Sequence, residues 1–153
     1  MPKGVLPKNL RISNNKNLTT MENLRNTSLL ALLFFFSSCA TTLKFPTSSV
    51  TPAAEISAKK KADKNGNFKV TITAKNLASA DRLEPPQSVY IAWIVTNTDG
   101  TRNIGRLTNK NAKTATIETL TPFAFTEIFI TAEGQADVSY PSGVEISRAK
   151  FKK

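Results

Sequence analysis

Histidine is absent from this 153-residue chain, and cysteine occurs once, at position 39. The first absence removes the commonest general base and the commonest metal ligand. The second rules out an internal disulfide. Most hydrolase mechanisms therefore lack their parts, and a non-enzymatic protein without metal or cofactor is expected. A paired-carboxylate site would still need two acids to converge in a cleft. Glu118, Glu127 and Glu133 lie on neighbouring expected strands, but a small sandwich rarely offers such a cleft. Long apolar runs are equally scarce: the longest, Leu29 to Phe36, has eight residues, against the roughly 20 that a bilayer-spanning helix takes. One-signed charge is less marked than the net +10 implies. Lys3, Lys8, Arg11, Lys16 and Arg25 all precede Cys39, against Glu22 alone; from Cys39 onward 16 Lys and Arg face 10 Asp and Glu. These cations do not gather into an aromatic-interleaved stripe, so nucleic acid is not expected as a partner.

What the first forty residues do contain is an address. Arg25 flanks the apolar run, and Ser37-Ser38-Cys39-Ala40 follows it at once, the order of a secretory signal peptide with small residues at its cleavage site. Phe36-Ser37-Ser38-Cys39 resembles the lipobox of bacterial lipoproteins, with Ser37 and Ser38 at the small positions. That resemblance implies cleavage between Ser38 and Cys39 and thioether attachment of a diacylglycerol to Cys39. A lone free thiol would be a liability in an exported protein, and lipidation accounts for it; the alternatives are a general secretory signal or a Cys in a core helix. Two or three acyl chains, at about 0.8 kcal/mol per buried CH₂, hold a domain at a membrane durably. The signal is complete over 21–38 if translation starts at Met21, which leaves 1–20 as an extension upstream of the true start or as a long n-region. Residues 39–54, rich in Thr, Ser and Pro, read as a flexible tether. The lack of an acidic residue at position 40 resembles lipoproteins passed to an outer membrane.

From residue 55 to 153 the pattern is that of strands. Phe68, Val70, Ile72 and Ala74 alternate with Lys69, Thr71, Thr73 and Lys75, a period of two. Asp63-Lys64-Asn65-Gly66 ahead of them supplies a hairpin turn, pairing about 55–61 with 67–76. Ser88 to Thr96 is apolar on both faces, as a central strand is, and Trp93 within it is expected to fill the core. Asn97-Thr98-Asp99-Gly100 turns the chain into 102–107, Asn109-Lys110-Asn111 turns it into 114–120, and strands follow at 125–132 and 144–151. Leu77 to Pro86 is expected to cross between sheets. The expected fold is all-β, a seven-stranded immunoglobulin-like antiparallel β-sandwich after a signal peptide and flexible tether.

Tyr90-Ile91-Ala92-Trp93, Gly105, Ile130-Thr131-Ala132-Glu133-Gly134 and Pro141-Ser142-Gly143-Val144 occur in that order. Over 90–146 they resemble the extracytoplasmic C-terminal domain of anti-sigma-K factors. The resemblance implies a β-sandwich and, at most, an envelope-sensing role through a transmembrane partner, since no helical sigma-binding part precedes it. Remaining candidates have competing readings. Asp63 to Asn67 and Asn97 to Gly100 have calcium-ligand residue types, but turn chemistry explains both. Lys59-Lys60-Lys61 is read as protecting an exposed sheet edge, with anionic headgroups or acidic glycans as the alternative. Tyr140 is a partner-contact candidate, or else a structural corner tyrosine. Together these features lead us to expect a lipid-anchored cell-envelope protein whose domain binds an envelope protein or glycan.

Overall fold

The computed structural model describes residues 1, 4, 40–111 and 113–152. The chain divides into two compact units, Met1–Ser37 and Ser38–Lys153. The signal segment, the cleavage position at Ser38 and the lipid-attachment residue Cys39 lie outside the described residues. Among those described, no helix is long and apolar enough to cross a membrane.

Over its described residues the second unit is all-β, with nine strands in two antiparallel sheets: β1 Ala40–Lys44, β2 Glu55–Ala62, β3 Phe68–Lys75, β4 Val89–Thr96, β5 Thr101–Arg106, β6 Thr108–Asn111, β7 Thr114–Thr121, β8 Phe125–Glu133 and β9 Val144–Lys150. Their orders are β1-β2-β3-β7-β6 and β5-β4-β8-β9. Seven of the nine fall where alternation places them, and the β2–β3 hairpin pairs Glu55 to Ala62 with Lys75 to Phe68 without a slip. Its turn is set by Asp63, whose Oδ1 accepts from the backbone N–H groups of Asn65 and Asn67 at 2.8 Å each, and by Gly66 at φ 82°, a conformation that costs glycine little. Residues 76–88 carry the chain from one sheet to the other, through a 3₁₀ turn at Ala80–Arg82.

Between the sheets, Ala58, Val70, Ile72 and Ala74 from one face meet Ala92, Ile94, Ile128 and Ile130 from the other, all fully buried. This shared apolar layer is what holds two half-polar sheets together. Trp93 lies elsewhere. It is fully buried, but on the outer face of the four-stranded sheet, in a second cluster with Ile91 and Phe129. Successive strand residues alternate faces, so with Ala92 and Ile94 in the main core Trp93 must point away from it.

The expected count of seven strands becomes nine among the described residues, and the two expectations behind the difference are corrected. Of the expected flexible tether over 39–54, the described residues 40–54 are strand and pinned loop instead. Ala40 to Lys44 pair with Lys61 to Ser57, Leu43, Phe45 and Val50 pack against the core, and Ser48, Thr51 and Ala54 are buried. The Ser48 hydroxyl accepts from the N–H groups of Val50 and Thr51, and Ser147 donates to the carbonyl of Pro46 at 2.8 Å. A Thr/Ser/Pro composition is thus compatible with a strand and a pinned loop when a few apolar side chains find a core. The second correction concerns Asn109-Lys110-Asn111, which is strand rather than turn: the chain switches sheets at Leu107 and these residues form most of β6, against β7.

Candidate functional site

The register defines two ends. Ala40 stands opposite Lys61, next to the 63–67 turn, and the 97–100 turn, the 122–124 connection and residues 151–152 emerge at the same end. The crossing 76–88 and the long loop 134–143 emerge at the opposite end.

At the Ala40 end, β2 carries its three lysines in strict alternation. Lys59 and Lys61 are exposed on the outer face. Lys60 points inward, with Nζ 4.6 Å from the ring centroid of Phe68, 4.1 Å from that of Phe125 and 5.4 Å from that of Phe151. The same ammonium donates to the Phe125 carbonyl at 2.7 Å. Burial lowers its pKa from the ordinary 10.5, because desolvation disfavours the charged form. The edge-protection reading of these lysines does not hold, since β1 covers β2 and makes it an interior strand.

At the opposite end a cleft of about 440 Å³ opens between the sheets, lined by Ser79, Arg82, Tyr90, Asn109, Asn111 and Lys113 among others. It carries two cations and no carboxylate. Tyr90 reaches it from β4 and donates its hydroxyl to the Ala78 carbonyl at 2.8 Å. Burial, reinforced by the charge of Asp81, pushes the phenol up to about 12.

Loop 134–143 folds back over the outer face of the four-stranded sheet, where Asn103 Nδ2 donates to the carbonyl of Val138 at 2.9 Å. Beneath the loop runs a chain of buried hydrogen bonds. Trp93 Nε1 donates to Thr131 Oγ1 at 2.8 Å, and Thr131 Oγ1 donates to Glu133 Oε1 at 2.6 Å. Ser142 donates to the same carboxylate from its N–H and from its hydroxyl, at 3.2 and 3.0 Å. Glu133, 1% exposed, thus has both oxygens engaged, with no cationic partner among the described residues. Arg148 closes the other side of this face. Its guanidinium stands 3.8 Å over the Phe129 ring, pairs with Glu145 at 2.6 Å and bonds Glu127. Hydrogen bonding from Arg148 holds the Glu127 carboxyl below its ordinary value.

The carboxylates singled out from the sequence stand apart. Glu118 faces outward on the five-stranded sheet with Lys69. Glu127 and Glu133 lie six residues apart on β8, about 20 Å along a strand. Asp63 spends its oxygens on turn donors, including Asn67 Nδ2 at 3.2 Å, and no group of three or more metal-ligating side chains occurs among the described residues. Tyr140 is 72% exposed in the 134–143 loop, which is not the burial of a corner tyrosine; Tyr90 is the tyrosine that binds a backbone carbonyl. The Lys60 cage and the Tyr90 cleft were not legible in sequence, because each depends on side chains brought together from distant strands.

No family model, no curated protein and no solved structure matches the chain.

Proposed function

We propose that this protein is an exported lipoprotein, anchored to the cell envelope by lipid on Cys39, whose immunoglobulin-like domain is a non-enzymatic binding or structural module. One observation carries the reading: the second compact unit begins at Ser38, one residue from the cleavage position read in the lipobox. Removal of everything before Cys39 would leave all nine strands intact. The strand orders support the immunoglobulin-like assignment. With β2, β3, β7 and β6 as A, B, E and D, and β5, β4, β8 and β9 as C′, C, F and G, the two sheets have the order of that fold, and β1 is an added edge strand. The cleft and the exposed Tyr140 belong to the end away from Ala40, the end that an N-terminal anchor presents outward to an envelope protein or glycan. An outer membrane is the proposed location where the cell has one. Metabolic labelling with an alkyne fatty acid tests the anchor: label should enter the wild type and be absent from Cys39→Ala, and equal labelling of both would contradict it.

A second reading, envelope sensing through a transmembrane partner, is favoured by one observation. Trp93, Thr131, Glu133 and Ser142, which come from three separate motifs of the anti-sigma-K resemblance, form a single hydrogen-bonded chain. Pull-down from membranes separates the readings: a transmembrane regulator as the main partner supports sensing, and abundant structural envelope proteins support the first.

A further inference from the structure

The outer face of the five-stranded sheet has a corner whose composition is unlike the rest of the face. Register places Ala40 opposite Lys61, Lys61 opposite Lys69, and Lys69 opposite Leu120, in one row across β1, β2, β3 and β7. At about 4.8 Å between strands, the row spans about 14 Å. Every member is exposed, and Leu120, at 58%, shares with Tyr140 the distinction of being a large apolar side chain left open within the described part of the β-unit. Lys59 lies on the same face and Lys64 in the adjoining turn, both exposed. Two acids lie nearby, Glu118, which pairs with Lys69 at 2.6 Å, and Asp63, which is held by turn donors, so the corner sets four lysines against two carboxylates and stays net positive. Lysines on interior strands are not needed to block edge pairing.

Position 39 is one peptide unit from this row, about 3.8 Å between Cα atoms. With residues 40–44 paired as β1, no slack chain separates an acylated Cys39 from the sheet. We propose that this corner, with Lys59, Lys61, Lys64 and Lys69 around Leu120, rests on anionic lipid headgroups, so that the domain stands on its Ala40 end with its cleft turned away from the membrane. The proposal rests on the lipid-anchor reading. Charge complementarity favours anionic lipid. A glycan or protein on this corner would have to share the space with the bilayer surface beside the anchor. Lysine attraction to an anionic leaflet decays within a Debye length, about 8 Å at physiological salt. Lys61, one strand spacing from Ala40, is within that range, whereas Lys75 lies six residues along β3 from Lys69, about 20 Å away.

The test uses the full, membrane-extracted protein, with its acyl mass measured first, then inserted into vesicles of phosphatidylcholine alone or mixed with phosphatidylglycerol. A membrane-impermeant amine-acylating reagent and peptide mass spectrometry read each lysine. In anionic vesicles Lys61, Lys64 and Lys69 should label about 3-fold or more slowly relative to Lys75 and Lys113. That protection should be absent in neutral vesicles and lost at about 1 M salt, where the screening length falls to about 3 Å. A lipidated Lys61→Glu, Lys69→Glu variant should lose the protection at Lys64. Acylated protein that labels alike in both vesicle types overturns the docking and leaves the anchor standing. Protein without acyl mass overturns the anchor and the docking with it.

Discussion

Lys60 binds one residue in two ways: its ammonium donates to the carbonyl of Phe125 at 2.7 Å and stands 4.1 Å over the ring of that same phenylalanine. Phe68 and Phe151 complete the enclosure, each meeting Phe125 edge to face. A cation fits here because ring faces are electron-rich, and an anion does not. Lys60→Met keeps the packing, and the lost bond is offset by relief of desolvation, so urea unfolding should show a change below about 1 kcal/mol. Lys60→Glu sets a carboxylate against three ring faces and a carbonyl oxygen and should cost about 3 kcal/mol or more. The lowered pKa has a sign: the unfolded chain keeps the proton to higher pH, so stability should rise as pH climbs from the folded pKa towards 10.5. Lys60→Met should lack that rise.

Tyr90 works in the opposite direction. Its phenol is protonated in the fold up to about 12, against 10.0 when unperturbed. The stabilisation is complete below pH 10 and lost as pH rises through about 12. A two-unit shift amounts to at most about 2.7 kcal/mol, and on the order of 1–2 kcal/mol after solvent screening. Denaturation midpoints measured from pH 9 to 12 should fall more steeply for the wild type than for Tyr90→Phe.

Much of this was legible in the sequence wherever a strand is buried on at least one face along its whole length. Val70, Ile72 and Ala74 announce β3, and the continuous apolar run announces β4. The two missed strands are edges with little to bury: β6, Thr-Asn-Lys-Asn, is exposed throughout, and in β1 Leu43 alone is better than exposed. Such strands are held by a neighbour's backbone, which composition does not reveal. The sequence shows that Trp93 is buried but not on which face, because β4 is apolar on both sides and alternation cannot say which side meets the other sheet. That the outer side is covered at all depends on the 134–143 loop, held by Asn103 and Glu133.

Thr131 is the middle member of that buried chain, receiving a hydrogen bond from Trp93 and giving one to Glu133. Thr131→Val keeps the shape but strands an indole N–H and leaves the carboxylate one donor short. The expected loss is about 2–4 kcal/mol, with Thr131→Ser within about 1 kcal/mol of wild type. Near-ultraviolet circular dichroism should report the Trp93 environment in both variants.

Gly143 is fixed by close approach. A Cβ there would sit 1.9 Å from the Ala132 carbonyl oxygen and 2.9 Å from Glu133 Oε2. Gly143→Ala must displace the start of β9 or the end of β8, at an expected cost of about 2–3 kcal/mol. Thermal unfolding checks it, and Gly134→Ala, where nothing lies within 4 Å, is the control with an effect near zero.

The most direct measurement for the account is the intact mass of the protein extracted from membranes, wild type beside Cys39→Ala. A mature chain that begins at Cys39 and carries acyl mass, with both features lost in the variant, is the predicted result. A chain uncleaved, or cleaved and unmodified at Cys39, would contradict it.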